Sequence, residues 1–190
     1  MAEMTDKAAF YAGLRKVTGP LDQVQVNVIE DLLRLAAKWP IGFLAYGLAT
    51  AWHEARLRPI EEIGKGRAHP YGKPGKYGQA PYGRGLVQLT WDYNYEWADA
   101  AAHAAGLIEP GALLADFSLA LRPDIAAMVL VKGMAQGAFT GRKLSHYMVD
   151  RGTHASFVRA RRIINGSDRA EKVADYADTF QQAGDEGKWT

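Results

Sequence analysis

Residues 41–56 read Ile41-Gly42-Phe43-Leu44-Ala45-Tyr46-Gly47-Leu48-Ala49-Thr50-Ala51-Trp52-His53-Glu54-Ala55-Arg56. Wound as a helix, this stretch is apolar on nearly all faces, and such a helix belongs in the middle of a domain. Its apolar part, Ile41 to Trp52, is about a dozen residues long, too short to cross a bilayer and the right length for a buried core helix. The helix therefore leads from the core to a surface and delivers His53 and Glu54 at its C-terminal end. A mainly α fold with little strand is predicted around it.

Working outward, Thr5-Asp6 is placed to cap a first helix to Lys16, and Thr18-Gly19-Pro20 breaks it. From Asp22 the residues Val24, Val28, Leu32 and Leu35 recur at helical spacing, which predicts an amphipathic helix to Trp39, ended by Pro40. Downstream, Arg58 to Arg84 holds Pro59, Gly64, Gly66, Pro70, Gly72, Pro74, Gly75 and Gly78 with no core pattern. A loop this long in a compact domain is functional or disordered, and it is expected to form an irregular, partly ordered wall of a cleft. Leu86 to Leu89 is predicted as a short extended piece. Thr90 is the expected cap of a helix from Trp91 to Ala105, stopped by Gly106. Pro123 suits a helix start, with that helix running to Gly137. Further helices are predicted at 144–151, 155–163 and 170–183, the last capped by Ser167 or Asp168. The tail 184–190 is expected to fray.

The 190 residues suit a single domain, 1–190, able to bury a core without staples. There is no cysteine, which excludes disulfides and thiolate metal sites. Met1-Ala2-Glu3-Met4-Thr5-Asp6 is polar and acidic and does not read as a signal peptide. Synthesis in a reducing cytoplasm is expected, with action elsewhere requiring a separate means of release. Net charge is only +2, and nucleic-acid binding calls for more. Lys65, Arg67, Lys73, Lys76 and Arg84 nevertheless crowd one loop, and Arg159, Arg161 and Arg162 another. Both read first as solvated faces, and second as an attraction toward an anionic polymer.

The chemistry concentrates between residues 52 and 97. A glutamate ending an apolar helix is partly desolvated and sits at the negative end of the helix dipole, and both favour a protonated carboxyl that acts as a general acid. The competing reading pairs Glu54 with Arg56 or Arg58 at the surface. A zinc helix is excluded, because a second histidine would have to stand at position 57, which is Leu57. Glu61 and Glu62 follow Pro59, and a turn there brings one of them back toward Glu54. Two carboxyls about 6.5–9.5 Å apart, one protonated and one ionised, are the apparatus of inverting glycosidic hydrolysis. Adjacent residues in an extended chain point to opposite sides, so one of the pair faces the site. Gln88, Thr90 and Asn94 add polar groups, and Tyr71, Tyr77, Tyr82, Trp91, Tyr93 and Tyr95 add flat faces with polar edges, which sugars require. Trp91 and Tyr95 have a second reading as core residues of their helix. The serines lie in no nucleophile elbow, and Gly64-Lys65-Gly66 lacks phosphate-loop spacing.

His53-Glu54, Arg58-Pro59-Ile60-Glu61-Glu62-Ile63-Gly64, and Tyr82-Gly83-Arg84-Gly85-Leu86-Val87-Gln88-Leu89-Thr90 with Asn94-Tyr95 resemble glycoside hydrolase family 19. The resemblance is to its phage endolysin and lysozyme-like branch. Gly133-Met134, Gly137 to Gly141 and Ala160 to Gly166 carry the resemblance further, and together it spans residues 8 to 183. It implies a lysozyme-like, two-lobed helical fold with a substrate cleft, and an inverting mechanism without metal or cofactor. Glu54 then matches the general acid and Glu62 the second glutamate, with Glu61 in reserve. Thr90 matches the hydroxyl that holds the water. His53, Tyr82, Gln88, Asn94 and Asn165 match substrate contacts. Ala55 stands where the family usually has threonine, and the interval from Glu54 to Glu62 is short for the family. The implied role is an N-acetylmuramidase endolysin, monomeric, acting on bacterial peptidoglycan after holin-dependent release. A chitinase and a non-catalytic wall-binding or virion protein are the alternatives.

Overall fold

The computed structural model describes residues 3–190. Eight α-helices dominate these residues: α1 (Lys7–Thr18), α2 (Gln23–Leu35), α3 (Ile41–Ala55), α4 (Asp92–Ala104), α5 (Ala112–Ala115), α6 (Pro123–Gln136), α7 (His154–Ala160) and α8 (Ala170–Glu186). Two short antiparallel strands, β1 (Ile60–Glu61) and β2 (Arg84–Gly85), pair Ile60 with Gly85 and Glu61 with Arg84. The mainly α architecture with little strand is the one expected.

α3 occupies the centre as its composition demands. Eleven of its fifteen residues are buried, among them Leu44, Tyr46 and Leu48. It packs along α8, which also carries α1 and α7, and it touches α6 and α2 on its other side. α2 and α4 both lie against α6 and, with α5, complete a second helical group. Pro40 gives α3 no side-chain cap. A cap is worth about 0.5–2 kcal/mol, whereas each large apolar side chain buried contributes roughly 1.5–3 kcal/mol, so packing outweighs the missing cap.

The free N–H of Gly42 at that uncapped end is taken instead by the carbonyl of Asp150, at 2.9 Å. This corrects the helix expected at 144–151, where only a 3₁₀ turn, Leu144–His146, forms. The backbone of residues 150–152 is used to close α3, and a Cβ on Gly42 would meet Gly152 N at 2.5 Å. The helix expected to run to Trp39 stops at Leu35, while other signals hold. Asp6 caps α1, Asp22 forms a capping box with Gln25, and Gly137 ends α6 at φ 80°.

Three further expectations need correction. Leu86–Gln88 is a tight turn, with Arg84 and Leu89 bridged across it by hydrogen bonds of 3.1 and 2.8 Å. α8 has neither Ser167 nor Asp168 as its cap; Arg169, at φ 52°, precedes it. The Asp168 carbonyl instead receives Arg161 Nε. The tail 184–190 is not frayed. α8 continues to Glu186, Met4 and Trp189 form a β-bridge, and Trp189 Nε1 donates to the Trp39 carbonyl at 2.9 Å. No helix among the described residues is long and apolar enough to cross a membrane.

Candidate active site

α3 ends where Arg56 and Leu57 take positive φ, 53° and 56°. That conformation is strained for side chains other than glycine. Leu57 holds it by burial, at 1% exposed, and by donating its N–H to Ala51. The chain is thereby reversed, and β1 starts five residues after α3 ends, bringing Glu61 and Glu62 back after Glu54.

Glu54 sits in the last turn of α3 with its side chain 19% exposed. Neither arginine expected beside it is its partner. Arg56 lies over the Trp52 ring at 4.7 Å, and Arg58 pairs with Asp22. Glu54 Oε1 instead accepts a 2.5 Å bond from Nη1 of Arg161, a residue 107 positions away and 1% exposed. Arg161 Nε donates to the Asp168 carbonyl at 2.8 Å, which fixes the guanidinium plane. Glu54 Oε2 makes no hydrogen bond among the described residues. His53 points its ring toward Tyr176 of α8, 6.4 Å between centroids, and its Nδ1 is buried without a partner. Burial lowers its pKa against the opposing Glu54 charge, and the Arg161, Arg169 and Arg56 charges add to the lowering.

The two glutamates of the loop are held differently. Glu61 lies in a cationic cluster. Tyr82 Oη donates to it at 2.5 Å, Lys65 Nζ lies at 3.1 Å and Arg84 Nε at 3.7 Å. The Tyr82 hydroxyl, then Lys65 and Arg84, lower its pKa. Glu62 has only neutral donors: Tyr71 Oη on Oε1 at 3.2 Å and Gly83 N–H on Oε2 at 3.1 Å. Its own N–H bonds the Gly83 carbonyl at 2.8 Å and prolongs the β1–β2 pairing.

The polar residues expected at the site converge on this second group. Thr90 does not cap α4: Trp91 precedes the helix at φ 74°, and Thr90 Oγ1 donates to the Gln88 carbonyl at 2.7 Å. Asn94 Nδ2 donates to the Thr90 carbonyl at 2.7 Å. Gln88, at φ 54°, reaches the Ile60 carbonyl at 3.3 Å, and a Cβ on Gly83 would meet its Oε1 at 2.8 Å. Asn165 belongs to the other group. It is exposed, and its N–H bonds the carbonyl of Arg161 at 3.0 Å.

The aromatics sort by burial. Tyr95 is fully buried, stacked on Phe117 at 4.0 Å. Tyr82 is 7% exposed, with Arg84 3.6 Å over its ring and its hydroxyl given to Glu61, so it braces the hairpin. Tyr77 donates to Glu96 at 2.8 Å. Tyr71 stands edge-on to Trp91 at 5.1 Å and stacks on His69 at 4.9 Å. Trp91 and Tyr93 keep open faces.

Sequence reasoning passed over two of these residues. Arg161 was counted in a basic surface cluster, yet it stands four residues after Phe157 among Ala160 and Ile163, which is core spacing. Tyr71 was read as a sugar face rather than as a donor to Glu62.

No family model and no curated protein matches the chain at the level of sequence. Solved structures do share its architecture. Chitinase C from Streptomyces griseus HUT6037 superposes with a TM-score of 0.59 and 23% identity, over 94% of this chain and 76% of that one. A mutant of chitinase C gives a TM-score of 0.58 at the same identity and coverage. A bacterial family 19 chitinase aligns over 96% of this chain and 85% of its own, with a TM-score of 0.42 and 18% identity. The fold is thus that of chitinase C.

Proposed function

We propose that the protein is a glycoside hydrolase of the family 19 type that cleaves β-1,4 bonds between amino sugars with inversion. Glu54 is the general acid and Glu62 the general base. The observation that carries this reading is Glu54 itself: one oxygen is clamped by a buried guanidinium while the other is left unbonded at the end of the central helix. Glu54 gives its proton to the leaving glycosidic oxygen. Glu62 takes a proton from a water that attacks the anomeric carbon from the opposite face. Glu62 is preferred to Glu61 because its neutral donors leave lone pairs free for that proton, whereas Glu61 is bound by Lys65 and Arg84. Thr90 Oγ1, which spends its proton on Gln88, retains lone pairs to orient the water. Gln88, Asn94, Asn165, Trp91 and Tyr93 are assigned to the sugar.

The substrate proposed is bacterial peptidoglycan, cut as by an N-acetylmuramidase. In the endolysin role the protein is made in the host cytoplasm and meets the wall after a holin opens the membrane. The structural likeness to chitinase C favours one competing substrate, N-acetylglucosamine polymers. Digestion of purified peptidoglycan and of chitin oligomers, read by mass spectrometry and by the anomer first released, tests both. Muramic-acid reducing ends of α configuration are expected. Cleavage of chitin alone would overturn the substrate assignment, and a retained β anomer would overturn the mechanism.

A further inference from the structure

Tyr46, Thr50 and Glu54 follow one another at intervals of four along α3, so they lie on one face of the helix. Tyr46 and Thr50 are fully buried, and neither Tyr46 Oη nor Thr50 Oγ1 has a hydrogen-bond partner within the described protein. An unpartnered buried hydroxyl costs about 1–3 kcal/mol, a penalty that phenylalanine and valine would avoid in the same volume. Opposite this face stand Phe157 of α7 and Arg161 of the 3₁₀ turn after it, also four residues apart. Phe157 stacks on Tyr46, 5.9 Å between centroids and 9° between planes, while Arg161 binds Glu54. The two segments are therefore tied at both ends of the polar row, with Thr50 between the ties.

Arg161 has unused capacity. A guanidinium carries five N–H donors, and this one is committed through Nη1 to Glu54 and through Nε to Asp168. The Tyr46 hydroxyl lies within its influence. Burial pushes the phenol pKa up, and the Arg161 charge and the Thr50 hydroxyl act in the opposite sense.

We propose that Tyr46 and Thr50 are positioning residues for Glu54: their hydroxyls accept from the remaining donors of Arg161 through one buried water, and hold the guanidinium against the carboxylate. This rests on the reading of Glu54 as the acid. It explains why two hydroxyls persist in a core where apolar side chains would be more stable.

Tyr46→Phe keeps the ring and its stack on Phe157, and Thr50→Val keeps the shape, so both variants should fold. Each is expected to lower kcat on peptidoglycan about tenfold, the equivalent of one hydrogen bond of roughly 1.4 kcal/mol. KM should not change, and Tm should stay level or rise. Thr50→Ser should restore the rate. A rise in Tm with wild-type kcat would overturn the proposal, as would a loss of rate that only follows loss of folded protein. Proton-exchange NMR of the Arg161 guanidinium in the purified protein gives a readout independent of turnover. Slow exchange that quickens in the Tyr46→Phe, Thr50→Val double variant supports the proposal, and unchanged exchange overturns it. Glu54→Gln is the parallel control: full activity there would refute the assignment of the acid, while the NMR result still decides the contact.

Discussion

The two halves of the candidate site are held by opposite means. Glu54 rides on the last turn of a helix whose residues are mostly buried, and its partner Arg161 is itself among the most buried side chains of the molecule. Glu62 directly follows the two-residue strand β1, at the start of a turn-rich loop, and it is positioned by one backbone N–H and one tyrosine. The first carboxylate is fixed by core packing and a charge pair, the second by local hydrogen bonds around strained backbone at Gln88 and Trp91. Strain of this kind costs about 1–3 kcal/mol per residue and persists only where the surroundings enforce it. The loop is enforced from α4: Asp92 accepts from Lys76 N–H, and Glu96 accepts from Lys76 and Tyr77. With one carboxylate held by the core and another by a tied loop, variation in the loop can alter the second while leaving the first in place.

This contrast is open to direct attack. The largest effect is expected from Glu54→Gln, which should lower the lysis rate of outer-membrane-permeabilised cells at least about a hundredfold, since general acids contribute about 10²–10⁴. Wild-type activity in that variant would favour a non-catalytic wall-binding or virion protein. Next comes Arg161→Met, which leaves Glu54 without its cation. Breaking a buried pair costs up to roughly 3–5 kcal/mol, so a fall in denaturation midpoint should accompany the loss of activity. An unchanged midpoint would mean that the pair adds nothing to the fold.

The paired test of Glu62→Gln and Glu61→Gln is sharper, with a smaller effect on stability. Glu62→Gln should abolish turnover with little change in stability. Glu61→Gln should retain turnover and lose at most about 1 kcal/mol, because an ion pair a third exposed is largely screened. Reversal of the two phenotypes would exchange their roles. Since the native pKa of Glu61 is lowered, its contribution is present above the unfolded carboxylate range and is lost as pH falls through the native pKa.

The smallest effect concerns His154, which bridges α7 and α8 through Asp178 at 2.6 Å and Glu171 at 3.0 Å. Those carboxylates raise its pKa to about 9. Its contribution is complete below the ordinary histidine pKa and disappears as pH rises through about 9. His154→Gln should therefore show a smaller drop in Tm between neutral pH and pH 9 than the wild type. An identical drop would remove His154 from the pH response.

What could be read in the chain followed physical range. The apolar helix 41–55, the Asp6 cap, the Gly137 stop and the turn-rich loop all depend on neighbours within a few residues, and they are legible in the sequence. Residues 144–151 read as helix from their own sequence, yet the carbonyl of Asp150 serves the N–H of Gly42 at the uncapped start of α3. The tail was misread because its partners, Met4 and Trp39, are remote in sequence. Within the site, the concentration of carboxylates, amides and aromatics was visible. Their division into two groups was not, because Glu54 takes its partner from 107 residues away and Tyr82 turns its hydroxyl to Glu61.

By itself the sequence determined a buried central helix, a glutamate at its exit, a second pair of carboxylates just beyond, and a helical scaffold to hold them. Only the tertiary structure decided which cation Glu54 meets, which of Glu61 and Glu62 is locked by charge, and which aromatics keep an open face. Periodicity and capping are local and act through the backbone, so they leave a trace in the order of residues. Charge pairing and burial depend on which distant segments pack together, and that is settled when the whole core closes.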